Sequence, residues 1–325
     1  MPSILVIGCG SIGERHLRCF LNTKRCTVSA CDTNEALLAT MRERYGVPTH
    51  SSMQEASSEV DAVVICTPAH LHLAMALTLL RQGKHLLIEK PLAIDTSMVP
   101  EVREAIGDRV VCVAYVYHMM PWVAEAREFV RSGAIGAIKH ASIVCGQHFP
   151  TFRPAYREIY YARHDHGGGA IQDALTHVAN VMEWIIGPCS QLFADASHQV
   201  LEGVTVEDTV NVAARHGDVL VNYALNQFQT PSETVFHFHG EKGSVVIESH
   251  LQRWGSMLRG QTTWEWHTTE PLERDELFTQ QANAFLDALE GKPHALSSFD
   301  EAAQTLKFNQ AALESVRTHE LIQLA

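Results

Sequence analysis

Through the first third of the chain, strands are expected over 4–7, 27–31, 61–66, 85–89 and 110–117, most of them built on a short apolar run such as Ile4-Leu5-Val6-Ile7 or Ala62-Val63-Val64-Ile65-Cys66. A parallel strand covered on both faces needs such a run, because neither side of it meets water. Between the runs the apolar spacing changes to three and four. That spacing predicts helices over 14–21, 34–44, 69–82 and 96–106. Gly46 and Pro48 close the second of these, and Gly83 closes the third.

From Pro121 the pattern changes. A helix is expected over 121–131, a strand over 137–145, an irregular loop over 147–166 and a helix over 170–186. Apolar and polar residues then alternate over 209–215, 219–228, 233–239 and 244–248, with turns at His216-Gly217-Asp218 and Gly240-Glu241-Lys242-Gly243. This period of two predicts antiparallel hairpins with one open face, a plausible surface for a homodimer or homotetramer. Helices over 273–290 and 299–318 close the chain. The expected fold class is α/β: a doubly wound parallel sheet in domain 1–120, then an α+β domain, 121–325, with an open, mostly antiparallel sheet.

The first run ends in Gly8-Cys9-Gly10-Ser11-Ile12-Gly13. A strand entering a helix through this spacing suits a dinucleotide: Gly8 for the tight turn, Gly10 for close approach of a pyrophosphate, Gly13 for helix-on-strand packing. The second run ends at Asp32, where such a fold places the acid that accepts ribose hydroxyls and repels a 2'-phosphate. Thr33-Asn34 offers no arginine for that phosphate, so NAD is favoured over NADP. Ligands of doubly wound sheets gather at the carboxyl ends of the strands. Those ends carry Thr67-Pro68 and Glu89-Lys90-Pro91. Lys90 before a proline is held extended, so its amine can be aimed across the sheet edge; the alternative is an exposed turn lysine. In the 170–186 helix, Asp173, His177, Asn180 and Trp184 form a polar stripe, with Asp173 and His177 neighbours just past Gly167-Gly168-Gly169. Spacing alone leaves that stripe open between a site and a solvated face.

Composition narrows the classes. With 46% hydrophobic and 19% charged residues, 325 residues should fold throughout, and they exceed one ordinary core. A net charge of -12 argues against a nucleic-acid surface. Eight cysteines without a C-x-x-C pair read as reduced thiols. No basic segment precedes the first strand and no apolar run reaches the roughly 20 residues of a membrane span, so a soluble, cytoplasmic protein is expected.

Taken together, the glycine turn, Thr67-Pro68 with His72, Glu89-Lys90-Pro91, and Gly167-Gly168-Gly169-Ala170 with Asp173 and His177 resemble the Gfo/Idh/MocA oxidoreductases over nearly the whole chain. The resemblance implies a Rossmann domain and NAD(P)-dependent hydride transfer at a hydroxyl or keto carbon of a sugar, sugar acid or cyclitol. It implies Lys90, Asp173 and His177 as the catalytic group. It also implies cofactor contacts from Gly8, Gly10, Ser11, Ile12, Gly13, Asp32, Thr67, Pro68, His72, Glu89 and Lys90. His177 suits proton transfer near neutral pH, and Lys90 suits stabilising a developing alkoxide.

Several positions depart from the family pattern: Asn180 replaces a frequent Asp, Ala69 a frequent Asn, and Tyr115-Val116-Tyr117 a common Asn-x-Arg. Tyr117 joins Lys90, Asp173 and His177 as an expected substrate contact. The loop bearing Arg153, Tyr156, Arg157, Tyr160 and Arg163 resembles that of relatives acting on acidic or nucleotide-linked sugars, and arginine grips such anions with paired donors. The alternative is a solvated loop. His164-Asp165-His166 and His237-Phe238-His239 lack a recognised ligand spacing, so no metal is expected. Two rival functions remain open: a redox-neutral glycosidase that keeps its NAD, and a non-catalytic NAD-binding regulator.

Overall fold

The computed structural model describes residues 1–324. The chain folds as two compact units, the first made of Met1–Met119 with Leu272–Ala303, the second of Met120–Pro271 with the residues from Gln304 onward.

Residues of the first unit alternate strand and helix: β1 Ser3–Ile7, α1 Ser11–Thr23, β2 Thr27–Cys31, α2 Glu35–Tyr45, β3 Thr49–His50, α3 Met53–Ser57, β4 Ala62–Ile65, α4 His72–Arg81, β5 His85–Ile88, α5 Val99–Ile106 and β6 Val111–Val113. The apolar runs are buried along their length in β1, β4 and β5, as strands covered on both faces must be. Local signals set the ends of α2. The Asn34 side chain accepts the Ala36 and Leu37 N–H groups, and Gly46, at φ 65°, turns the chain out. The run expected as a strand over 110–117 is shorter than its apolar length. Ala114 N–H makes a last bond to the Ile88 carbonyl, and a 3₁₀ turn over Val116–Met119 follows. Tyr115 is buried there by packing rather than by a ladder.

In the second unit come α6 Pro121–Arg131, β7 Ile138–His148, α7 Phe149–Phe152, α8 Thr176–Ile186, β8 Gln191–Ser197, β9 Thr209–His216, β10 Val219–Asn226, β11 Phe228–Gly240, β12 Gly243–Glu248, β13 Arg253–Leu258 and β14 Glu265–Thr268. The chain then returns to the first unit for α9 Arg274–Leu289 and β15 Ser297–Ser298, and α10 Phe299–Thr318 and β16 Ile322–Gln323 close it. The boundary between the units falls within α10.

The first sheet has the order β15-β6-β5-β4-β1-β2-β3, parallel except for the short edge strand β15. Helix α9 packs on α1, where Phe20 meets Phe285 edge-on at 6.2 Å and Arg15 bonds Asp275. The second sheet runs β14-β13-β12-β11-β7-β10-β9-β8-β16, antiparallel except for the pairing of β7 with β10. Its inner face carries Val212, Tyr223, Phe236 and Phe238, all buried. The register puts Val144, Leu220 and Phe193 on the opposite face, at 42%, 48% and 40% exposure. Among the described residues no helix is long and apolar enough to cross a membrane.

Candidate functional site

In the first unit the glycine turn is built by close backbone approach. Gly8 has φ +91°, and a Cβ on it would lie 2.7 Å from the Cys66 carbonyl oxygen. A Cβ on Gly13 would lie 1.7 Å from the Gly8 carbonyl oxygen, so α1 can sit this near β1 only with glycine there. Gly10 differs, because nothing lies within 4 Å of the Cβ it lacks. Gly10 is also the N-cap of α1 and makes no side-chain cap. An open approach to free helix N–H groups fits a pyrophosphate.

Asp32, just past β2, completes this half. One carboxylate oxygen accepts the Cys9 N–H at 2.6 Å and the other accepts the Asn34 N–H at 2.8 Å. The carboxylate is therefore oriented from the protein side, with lone pairs left for ribose hydroxyls. Burial, then the Asp32 charge, pushes the Cys9 thiol up to about 12, so it remains a protonated packing group.

At the carboxyl ends of β4 and β5 the side chains divide into buried and half-buried. His72 is buried, its Nε2 2.8 Å from the Thr67 carbonyl and its Nδ1 3.0 Å from the Pro91 carbonyl. Burial pushes its pKa down, against the pull of those carbonyls. His72 thus stands between the two loops that carry Thr67-Pro68 and Lys90, with one ring N–H to donate to either carbonyl. Glu89 is buried too, while Thr67, Lys90 and Tyr117 are half-buried and Pro68 is exposed. His16 on α1, which sequence reasoning did not select, meets Glu89 at 2.7 Å.

The second unit holds Asp173 and His177. The helix expected over 170–186 begins as a π-helical turn, Ile171–Leu175, before α8 proper. Asp173 lies in that wider turn and is buried, and its carboxylate accepts the Tyr160 hydroxyl at 2.6 Å. His177 lies in the first turn of α8 and is half-buried. The polar stripe is not a solvated face: Asn180 is buried and donates to Thr305 at 3.1 Å.

Glu207 anchors the glycine turn ahead of Asp173. Its carboxylate accepts the Ile171 N–H at 2.8 Å and pairs with His164, while its carbonyl accepts the Ala170 N–H at 2.9 Å. A Cβ on Gly169 would lie 2.5 Å from that carboxylate, and one on Gly168 would lie 2.3 Å from the Tyr161 carbonyl. The only sequence signal for Glu207 is an acid before an alternating run, which is too common to single it out.

The loop expected over 147–166 is partly ordered by its own core. Tyr156 packs with Phe149, Tyr161, Leu201, Val204 and Val206, and its hydroxyl donates to the Glu202 carbonyl at 2.7 Å. Arg157 donates to the same carbonyl at 2.8 Å, and Arg163 pairs with Asp165. Arg153 is half-buried. The loop thus brings Tyr160 to Asp173 and turns Tyr156 into its core. Among the described residues no group of three or more His, Cys, Asp or Glu could hold a metal ion.

Two family models match the chain: "Oxidoreductase family, NAD-binding Rossmann fold" over residues 3–117, and "GFO/IDH/MocA C-terminal domain" over residues 123–246. A similar curated protein is the 1,5-anhydro-D-fructose reductase of Ensifer adhaerens, 25% identical over 270 residues, or 82% of this chain and 80% of the other. Among solved structures, a levoglucosan dehydrogenase in complex with NADH is similar with a TM-score of 0.90 at 21% identity, covering 100% of this chain and 99% of that one. The WlbA dehydrogenase of Bordetella pertussis, in complex with NADH and UDP-GlcNAcA, is similar with a TM-score of 0.84 at 20% identity, covering 100% and 98%.

Proposed function

This chain belongs to the Gfo/Idh/MocA oxidoreductase family, and on that premise we propose that it moves a hydride between NAD and a hydroxyl or keto carbon of a sugar, sugar acid or cyclitol. One observation carries the reading. Lys90 follows β5 at the same carboxyl edge of the sheet where β1 opens into the uncapped glycine turn.

Bound NAD supplies the hydride acceptor or donor. Gly8, Gly10, Ser11, Ile12 and Gly13 would hold its phosphates and Asp32 its adenosine ribose, with Thr67 and Pro68 at the β4 end. His177 takes the hydroxyl proton during oxidation and returns it during reduction. Lys90 stabilises the developing alkoxide, and Asp173, aimed by Tyr160, binds a substrate hydroxyl. A substrate with a carboxylate or phosphate is the finer reading, supported by the arginine-bearing loop and by the UDP-GlcNAcA held by a protein of the same fold. Arg157 donates to the Glu202 carbonyl and Arg163 pairs with Asp165, whereas Arg153 is half-buried and Tyr160 stands at Asp173, so Arg153 and Tyr160 are the assigned contacts. Equal turnover of neutral and carboxylated analogues would overturn this part.

The eight free thiols support a reducing, cytoplasmic setting. The exposed Val144, Leu220 and Phe193 on the open sheet face support a homo-oligomer, which light scattering of wild type and Leu220→Glu would test. The deciding experiment follows NADH absorbance in both directions with a panel of sugars, uronates and cyclitols. Turnover should be lost in Lys90→Met and His177→Ala with NADH binding kept. Turnover surviving in both variants, or no turnover of any panel member by the wild type, would overturn the reading.

A further inference from the structure

The first unit contains a polar pair that the chemistry above does not use. His16 is 1% exposed and Glu89 is 5% exposed, and His16 Nε2 lies 2.7 Å from Glu89 Oε1. Placing a carboxylate and an imidazole in a core is costly unless each is bonded, so such a pair calls for a reason beyond packing. Burial disfavours the Glu89 charge, yet the His16 bond and the nearby His16 and Lys90 charges outweigh it and hold the carboxyl below its ordinary range. Glu89 is therefore a carboxylate, acceptor on both oxygens, and His16 Nε2–H donates to it. The other ring nitrogen of His16, Nδ1, is buried without a partner among the described residues, and Phe278 stands edge-on to the ring at 5.4 Å. The imidazole is therefore oriented by Glu89 on one side and by an aromatic wall on the other.

Glu89 Oε2 accepts the backbone N–H of Lys90 at 3.0 Å. On the other side of Lys90, the Pro91 carbonyl is held by His72. The backbone of Lys90 is thus gripped before and after its side chain.

We propose that His16 and Glu89 are a positioning pair for Lys90, with Glu89 fixing the Lys90 peptide and His16 fixing Glu89. Glu89 acts from beneath the site and does not touch the cofactor. His16, three residues past Gly13, links α1, whose N-terminus opens on the glycine turn, to the lysine. The inference rests on the proposed role of Lys90.

The test has one readout free of substrate and cofactor. Hydrogen exchange of the Lys90 amide, followed by NMR, should be at least tenfold faster in His16→Ala and in Glu89→Ala. It should be near wild type in His16→Gln, whose amide can still donate to Glu89 and which guards against a variant that fails to fold. Dissociation of NADH, read by fluorescence, should change less than about threefold in His16→Gln and His16→Ala, whereas kcat on the best substrate of the panel should fall at least tenfold in His16→Ala. Wild-type exchange at Lys90 in His16→Ala would overturn the proposal. So would a loss of NADH binding that matches the loss of kcat, since Glu89 would then be a cofactor contact. Undiminished turnover in Lys90→Met would instead overturn the role of Lys90 itself, which separates the two failures.

Discussion

A buried histidine and a half-buried glutamate of the second unit should make stability respond to pH in opposite directions. His216 donates from Nδ1 to the Gly187 carbonyl at 2.7 Å, and its Nε2 accepts the Tyr223 hydroxyl at 2.9 Å. An imidazolium there would turn Nε2–H against a buried hydroxyl. Burial accordingly holds His216 down to about 4. Glu183 on α8 is bonded by the Thr305 hydroxyl at 2.7 Å, but burial outweighs its hydrogen bonds and pushes it up to about 7.

The signs follow from proton counting. Between pH 6.5 and 4 the unfolded chain binds a proton at residue 216 that the folded chain does not, so this stability is present above pH 6.5 and lost as pH falls. Between pH 4.5 and 7 the folded chain keeps a proton at residue 183 that the unfolded chain releases, so that stability is present below pH 4.5 and lost as pH rises. Each contributes about 2 kcal/mol between pH 5 and pH 7, because a one-proton difference between folded and unfolded chains changes stability by about 1.4 kcal/mol for every tenfold change in proton concentration. In the wild type the two slopes nearly cancel. Removing one exposes the other: from pH 7 to pH 5, His216→Gln should gain about 2 kcal/mol relative to wild type, and Glu183→Gln should lose about 2 kcal/mol. Urea unfolding followed by tryptophan fluorescence is the suitable assay, because Trp122, Trp184, Trp254, Trp264 and Trp266 all lie in the second unit. Differences from wild type that stay constant over this range in both variants would refute the reasoning.

Gly13→Ala should weaken NADH binding at least tenfold and destabilise the first unit by about 1–3 kcal/mol, because the new Cβ meets the Gly8 carbonyl; fluorescence titration and circular dichroism melts read both, and unchanged affinity would count against the cradle. Asp32→Ala should raise the Kd for NADH about tenfold or more, roughly 1.4 kcal/mol, and narrow the preference over NADPH, as read by competition between the two. Glu207→Ala leaves the Ile171 N–H and His164 without their carboxylate and should cost about 1–3 kcal/mol in urea unfolding, lowering turnover while NADH binding persists.

The strands of the first sheet were legible because burial on both faces demands apolar runs, as in Ile4-Leu5-Val6-Ile7 and Ala62–Ile65, and β2 keeps its expected bounds, Thr27–Cys31, although Thr27 and Ser29 interrupt its apolar positions. The glycine turn was legible because the positive φ of Gly8 and the close approach at Gly13 admit only glycine. The helix bearing Asp173 and His177 was legible as a helix but not in its phase. Its first turn is π-helical, held by the Glu207 carboxylate from 36 residues away. Tyr156 and Tyr160 look alike in the sequence of one loop, yet one enters a hydrophobic cluster and the other bonds Asp173.

By itself, then, the amino-acid sequence determined what depends on neighbours a few residues apart: the alternation of strand and helix, the glycine turn after β1 and the open hairpins. Only the tertiary structure decided what depends on residues far apart in the chain. It returned α9 to pack on α1, set Glu207 behind the second glycine turn, and placed His16 against Glu89. Periodicity records which face of an element is buried. It carries no information about the partner buried against that face, such as Tyr160 at Asp173, Glu207 at Ile171 or His16 at Glu89.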